Sequence, residues 1–313
     1  MQAEVMVSVF CATYNHEKYI RKALEGFVAQ KTTFSFEVLI NDDASTDRTA
    51  DIIREYEKKY PNIIKAIYQR ENQYSQEISI IRRFLLPIAR GIYFAYCEGD
   101  DFWIDPLKLQ KQFDYMEKHP ECSLCAHRAV WNSIIPGDEG QRLFPEQDWA
   151  RDYSTEEIIG HGGLIFSTNS IFLRRETYET FPNSFLMSWV DDYPLMIYAS
   201  MCGKCHCMQD VMSVYNRGVE GSYTAKFLAN REFRIQQNLS RIEMFRNIDK
   251  YSNYRYTKAL QKRIRHSEYH IYKHTGEIKN SLRPEYEEFR LEDEAKTAQR
   301  KVKLAQAGKE PNG

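Results

Sequence analysis

Four apolar runs of strand length, at residues 5–14, 36–40, 63–68 and 92–97, alternate with segments whose apolar side chains recur at helical spacing. The first such segment carries Ile20, Leu24, Phe27 and Val28, the second Ile52, Ile53 and Tyr56, and the third spans 78–89 with an internal Pro87. Short strands separated by helices of this length are joined by right-handed crossovers, so the chain is expected to be α/β, with a mostly parallel central sheet and helices on both faces. At 313 residues there is enough chain for one large domain with an appendage.

Open sheets of this kind bind ligands beyond the carboxyl ends of their strands. Three polar clusters stand there: Ala12-Thr13-Tyr14-Asn15 after the first strand, Asp42-Asp43 after the second, and Asp100-Asp101 after the fourth. The last follows an aromatic run, Tyr93 to Cys97, that breaks at Gly99. Two adjacent carboxylates repel each other, and hard oxygen ligands of this type suit Mg²⁺ or Mn²⁺. The plain alternative is a solvated acidic turn; the aromatic flanks and the second acidic strand end argue for a shared cation. The first turn lacks G-x-G-x-x-G and the chain lacks a Walker A sequence, so a nucleotide would be held by stacking, carboxylates and metal rather than by a glycine cradle. An EF-hand reading of Asp42 to Asp47 fails for want of the central Gly and closing Glu.

Further on, residues 107–116 read as a helix and 122–131 as a strand. A long loop is expected over 134–152 and a strand over 164–174. Trp189 to Pro194 opens a helix whose first turn carries Asp191 and Asp192, where the helix dipole alone would favour acids. Strands are expected at 204–208 and 211–215. From Phe227 the composition shifts to two helices carrying Ile235, Leu239, Ile242 and Phe245, then Leu260, Ile264 and Ile271. The expected division is therefore a domain at 1–221, a helical extension at 222–290 and a charged, flexible tail at 291–313.

With 43 basic and 44 acidic residues, net charge points to no nucleic-acid partner. The seven cysteines fall mostly in apolar stretches and read as reduced, buried thiols of a cytoplasmic protein. Cys202, Cys205, His206 and Cys207 lack the second ligand pair a structural zinc site wants. The start carries no secretory signal pattern, and no apolar run reaches the roughly 18 residues that cross a bilayer. The basic, tyrosine-bearing segment from Arg255 to Lys273 would suit peripheral contact with an anionic membrane at its inner face, or serve as an ordinary solvated helix face.

Four blocks taken together resemble a family 2 glycosyltransferase with a GT-A fold, of the bacterial polysaccharide-assembly type. They are Val7-Ser-Val-Phe-Cys-Ala-Thr-Tyr-Asn15 with Tyr19-Ile20; Glu37-Val-Leu-Ile-Asn-Asp-Asp-Ala-Ser-Thr-Asp47; Glu98-Gly-Asp-Asp-Phe-Trp103 with Asp105-Pro-Leu-Lys-Leu-Gln-Lys-Gln112; and Asp191-Asp192 before Pro194. The resemblance covers residues 5–217. It implies that Ala12, Thr13 and Tyr14 contact the nucleotide base, Tyr14 by stacking, and that Asp43 bonds its edge. It also implies that Asp100 touches the ribose, Asp101 binds Mg²⁺ or Mn²⁺, and Asp192 is the general base. The sequence departs from the pattern at Asp191, where Gly or Glu is usual, and at Asn216-Arg217-Gly218, where a His-containing segment often stands; Arg217 is a candidate contact to the diphosphate instead.

The function this implies is inverting, metal-dependent transfer from a nucleoside-diphosphate sugar, a UDP-sugar in the first instance, to a saccharide or lipid-linked saccharide hydroxyl. A nucleotidyltransferase would want a basic, Gly-rich loop after the first strand. The alternative of another class is a catalytically silent nucleotide-sugar-binding or scaffold protein, which would not leak nucleoside diphosphate from a donor in the presence of metal.

Overall fold

The computed structural model describes residues 4–76, 79–145, 150–163, 165–186 and 192–306. It divides into two compact units, Met1–Trp131 with Arg142–Asn216, and Asn132–Gln141 with Arg217–Gly313.

The first unit is built on β1 (Val5–Thr13), β2 (Ser35–Asp42), β3 (Ile64–Tyr68) and β4 (Tyr93–Tyr96), crossed by α1 (Ile20–Val28) and α2 (Thr49–Lys59). These four strands run parallel in the order β3-β2-β1-β4. β1 is central, so its side chains are buried on both faces rather than on alternate ones. Helix α1 turns Ile20, Ala23, Leu24 and Phe27 onto one side of the sheet, where they join Val7, Val9, Val38 and Ile40 in a continuous core. Gly26 lets this helix close on Trp103, since a Cβ there would stand 2.8 Å from the Trp103 carbonyl oxygen.

Past β4 the sheet continues with antiparallel neighbours. After β5 (Phe102–Trp103) and α3 (Lys108–Lys118) come β6 (Cys122–Ser133), β7 (Gly140–Phe144), β8 (Arg151–Tyr153), α4 (Thr155–His161), β9 (Phe172–Arg174), α5 (Arg175–Glu179), α6 (Asp192–Cys202) and β10 (Lys204–Arg217). β9 pairs antiparallel with both β4 and β6, and β10 pairs antiparallel with β5 and β8.

Several elements differ from the sequence reading. The stretch expected as a third helix begins at Ile78, outside the described residues, and where described it is a π turn at Ile81–Leu85 followed by a 3-10 turn at Leu86–Ile88. Pro87 has no N–H to give an α-helical bond, and the backbone adopts other spacings around it. The expected loop at 134–152 contains the edge strands β7 and β8, whose largely exposed side chains hide the period-2 signal. The strand expected over 164–174 is a 3-10 turn at Thr168–Ser170 and the short β9; Leu164 lies outside the described residues. The two strands expected at 204–208 and 211–215 are one, because polar Gln209 and Asp210 sit on a solvated stretch where Asp210 pairs with Lys111 at 2.6 Å. His206 places Nδ1 2.8 Å from Asp152 Oδ1 and stacks on Tyr115, while Cys205 and Cys207 are buried.

The second unit contains α7 (Tyr223–Ala229), α8 (Arg231–Tyr251), α9 (Thr257–Thr275), α10 (Ile278–Ser281) and α11 (Glu287–Gln306). Asn230 caps α8 through the Phe233 N–H. Left-handed Asn253 and Tyr254 turn the chain between α8 and α9. Ile242, Phe245 and Ile248 of α8 and Leu260 and Ile264 of α9 are buried. The segment from 291 continues α11 to residue 306, and buried Tyr269, Tyr286 and Phe289 form a small cluster near that helix's start. Part of the basic face of α9 is matched internally: Lys262 pairs with Glu288 at 2.9 Å and Lys273 with Asp293 at 2.7 Å. No helix among the described residues is long and apolar enough to cross a membrane.

Candidate active site

The parallel register brings the ends of β1, β2 and β4 together. Phe10 lies opposite Tyr96 and Thr13 opposite Asp42, and the turns that follow are cross-tied: Asp43 N–H donates to the Thr13 carbonyl at 2.9 Å and Gly99 N–H to the Ala12 carbonyl at 3.0 Å. A Cβ on Gly99 would lie 2.4 Å from Thr13 Oγ1 and 2.6 Å from Thr13 Cβ, so the two strand ends approach this closely only because residue 99 has no side chain.

From that junction Glu98, Asp100 and Asp101 present carboxylate oxygens all within 4.8 Å of one another. Asp101 is 1% exposed. Its Oδ1 accepts the Asn216 N–H at 2.7 Å, and Asn216 Nδ2 donates to the Asp100 carbonyl at 2.5 Å. Oδ2 of Asp101 is buried without a hydrogen-bond partner. Burial raises the pKa of all three acids, and mutual repulsion adds to it at Asp101 and Glu98. Glu98 reaches about 8; its surface is accessible, but the protein around it desolvates the charge. His16 stands over the group, Nε2 3.9 Å from Asp100 Oδ2 and Nδ1 3.1 Å from Thr13 Oγ1.

Asp192 is the first residue of α6 and partly buried. Its Oδ1 accepts the Tyr193 N–H at 2.7 Å and its Oδ2 the Thr168 hydroxyl at 2.8 Å. Its charge contributes to raising the pKa of Glu98, and with Asp101, Glu98 and Asp100 that of Tyr215. The base candidate, about ninety residues from the acidic cluster in sequence, is thus near enough for its charge to act on Glu98. Asp191 lies outside the described residues.

The other residues singled out in the sequence distribute as follows. Thr13 is buried, Ala12 partly buried, and Tyr14 is 39% exposed at the lip of β1. Asp43 is buried and accepts main-chain N–H groups from Gln73 at 2.8 Å and Tyr74 at 3.0 Å, which anchors the loop after β3. Arg217 belongs to the second unit, where its guanidinium pairs with Asp138 at 2.9 Å. Asn216, Thr168 and His16 were given no role at the site in the sequence reading. Asn216 and Thr168 meet their carboxylates through antiparallel strands and turns that leave no local pattern. Glu98, two residues before Asp100, was legible as a third carboxylate.

The donor set fits a hard divalent cation. Three carboxylates converge, one buried oxygen lacks a hydrogen-bond partner, and burial pushes all three acids toward protonation.

Residues 8–181 match the family described as Glycosyl transferase family 2. An uncharacterized protein of Mycobacterium tuberculosis is 37% identical over 232 residues, which are 72% of this chain and 63% of that protein. The chain therefore spans less than two thirds of that relative's length. The Escherichia coli UDP-Glc:alpha-D-GlcNAc-diphosphoundecaprenol beta-1,3-glucosyltransferase WfaP is 34% identical over 36% of this chain and 41% of its own. Among solved structures, the mannosyltransferase PcManGT from Pyrobaculum calidifontis, in complex with GDP-Man and Mn²⁺, aligns with a TM-score of 0.56 at 16% identity, over 98% of this chain and 85% of that one. The parallel sheet, the carboxylates at its strand ends and the sequence match across more than half of the chain agree: this protein belongs to glycosyl transferase family 2.

Proposed function

We propose that the chain is the catalytic region of an inverting, metal-dependent glycosyltransferase, which moves a sugar from a UDP-sugar to a hydroxyl of a saccharide or lipid-linked saccharide during surface polysaccharide synthesis. The observation that carries this reading is the placement of Asp192 within electrostatic range of Glu98. One carboxylate with partners of its own acts electrostatically on a group of three whose donor atoms suit a divalent cation.

In this reading Ala12, Thr13 and Tyr14 meet the base, with the exposed ring of Tyr14 available for stacking. Asp43 holds the loop at Gln73 and Tyr74 against the end of β2 and offers its remaining lone pairs to the base edge. Asp100 meets the ribose. Asp101, with Glu98 beside it, would hold Mg²⁺ or Mn²⁺, which when bound neutralises the diphosphate leaving group. Asp192, in the first turn of a helix where the N-terminal dipole favours negative charge, takes the proton of the acceptor hydroxyl as it attacks. A single displacement from the face opposite the leaving group inverts the anomeric centre. Arg217 would add positive charge toward the diphosphate only by giving up part of its pairing with Asp138.

A UDP donor and a lipid-linked acceptor accord with the name of the Escherichia coli relative, and Mn²⁺ with the ligands of the Pyrobaculum structure. Contact with an anionic membrane would run through the α8–α9 turn, where Tyr254 is 67% exposed beside exposed Arg255 and Lys258. The test is nucleoside-diphosphate release from a panel of UDP- and GDP-sugars with and without Mn²⁺. Release that depends on metal and accelerates with a saccharide acceptor is expected. Binding of a nucleotide sugar with no release under any condition would mark a silent binder instead.

A further inference from the structure

Near its end, strand β10 is tied to both halves of the site. On one side the Asn216 N–H donates to Asp101 Oδ1 at 2.7 Å. On the other, the Val214 carbonyl accepts Asn169 Nδ2 at 2.8 Å and Ser213 Oγ donates to Asn169 Oδ1 at 2.8 Å; the preceding residue, Thr168, donates to Asp192 Oδ2 at 2.8 Å. Tyr215 stands between these ties. Alternation along the strand puts its side chain on the face of Ser213, the one turned to the Asn169 side chain. The ring is half-buried and its centre lies 5.9 Å from that of Trp131, which in turn stacks on Phe144 at 3.8 Å. Among the described residues the hydroxyl makes no hydrogen bond. Burial, and after it the charges of Asp101, Glu98, Asp100 and Asp192, hold this phenol well above its ordinary pKa, so it is a donor at neutral pH. The three cluster acids and the base candidate thus all lie within electrostatic range of one side chain.

We propose that Tyr215 is a sugar-contacting residue: its ring is the wall on which the transferred glycosyl unit packs, and its hydroxyl donates to an oxygen of that sugar. The inference rests on the proposed function, in which the acidic cluster takes the diphosphate end of the donor and Asp192 the acceptor hydroxyl. The glycosyl unit then occupies the space between them, where Tyr215 stands. A sugar ring presents apolar C–H faces and many hydrogen-bond acceptors, and a tyrosine supplies a partner for each in one rigid side chain. Trp131, itself stacked on Phe144, packs against the ring, so the wall is in place before the donor arrives and little order is lost on binding. Because the contact is to the sugar, a nucleoside diphosphate without its sugar does not feel it. Tyr215 is therefore a determinant of which donor sugar is held, apart from the residues that hold the nucleotide.

The test is calorimetric titration of the full chain, in the presence of Mn²⁺, with two ligand pairs: UDP and UDP-glucose, GDP and GDP-mannose. Wild type is compared with Tyr215→Leu, which removes the ring, and Tyr215→Phe, which removes only the hydroxyl. In the pair that the wild type binds, the Leu variant is expected to lose about tenfold in affinity for the sugar nucleotide. Its affinity for the nucleoside diphosphate is expected to stay within about twofold, which also shows that the variant is folded. The Phe variant is expected to lose roughly threefold for the sugar nucleotide alone, the usual worth of a neutral hydrogen bond, and it decides the matter if the Leu variant does not fold. Sugar-nucleotide affinity unchanged in both variants overturns the proposal. Equal losses for both members of a pair overturn it too, since that is what a purely structural aromatic gives. A wild type that binds none of the four ligands overturns the reading of the donor site itself, and the two failures are thereby told apart.

Discussion

The main-chain N–H of Asn216 donates to Asp101 Oδ1 at 2.7 Å and leaves Asp101 Oδ2 buried without a partner. One oxygen is thus fixed by the end of strand β10 and the other accepts no hydrogen bond. A buried carboxylate oxygen left unpaired costs about 1–3 kcal/mol or more, and a cation is the partner that would recover it.

Asp101→Ala is accordingly expected to abolish the Mn²⁺-dependent part of the rise in melting temperature caused by UDP. For the wild type, ligand at about 100 times its dissociation constant adds about 2.7 kcal/mol. The measurement is thermal unfolding with UDP, with Mn²⁺ and with both. A metal effect that survives in the variant would place the cation elsewhere.

Asp192→Asn keeps size and helix-capping ability but cannot accept a proton. Transfer should fall by roughly 10²–10⁴-fold while UDP affinity stays within about twofold. Asp191→Asn, measured beside it, should cost far less. Both activities are read as product formed per unit time, and a reversal of the two phenotypes would assign the base to the neighbour.

Lys108 gives stability a pH dependence. It is fully buried, its Nζ 2.6 Å from Gln112 Oε1 and 4.1 Å from the centre of the Trp103 ring, and burial lowers its pKa from 10.5 to about 7. Between those values the folded state holds fewer protons than the unfolded chain, so this group makes stability rise with pH from about 7 to 10.5; below about 7 the buried charge weighs in full. The effect is a few kcal/mol in order of magnitude. Denaturation midpoints of Lys108→Met should lack this rise, and a variant whose pH profile overlays the wild type would show that Lys108 stays charged in the fold.

Gly99→Ala should destabilise the protein by about 1–3 kcal/mol, the usual range for overpacking, because the new methyl meets the Thr13 side chain at 2.4 Å. Parting of β1 from β4 would also move Asp100 and Asp101, so UDP binding in the presence of Mn²⁺ should weaken in the folded fraction. Calorimetric titration after a chemical-denaturation check separates the two effects, and undiminished binding would mean that the cluster tolerates the separation.

Much of this architecture is written locally. The alternation of β-branched runs with helical spacing determines β1, α1, β2, α2, β3 and β4, because strand and helix periods are properties of neighbouring residues. Parallel pairing then carries Thr13, Asp43 and Asp100–Asp101 to one edge with no further information. Tertiary structure alone decided the rest. The partners of Asp101 and Asp192 arrive on β10 and on the turn before β9, through antiparallel pairings whose register depends on packing across more than forty positions of sequence. The edge strands β7 and β8 carry too little buried surface to show a period, and Pro87 replaced an expected α-helix by tighter and wider turns. Lys108, written in the sequence as an ordinary charge at a helix start, is buried because Trp103, Gln112 and the core around them close over it. Periodicity names the elements and their acidic ends; which groups meet those acids is fixed by contacts between residues far apart in the chain, and those exist only once the sheet has closed.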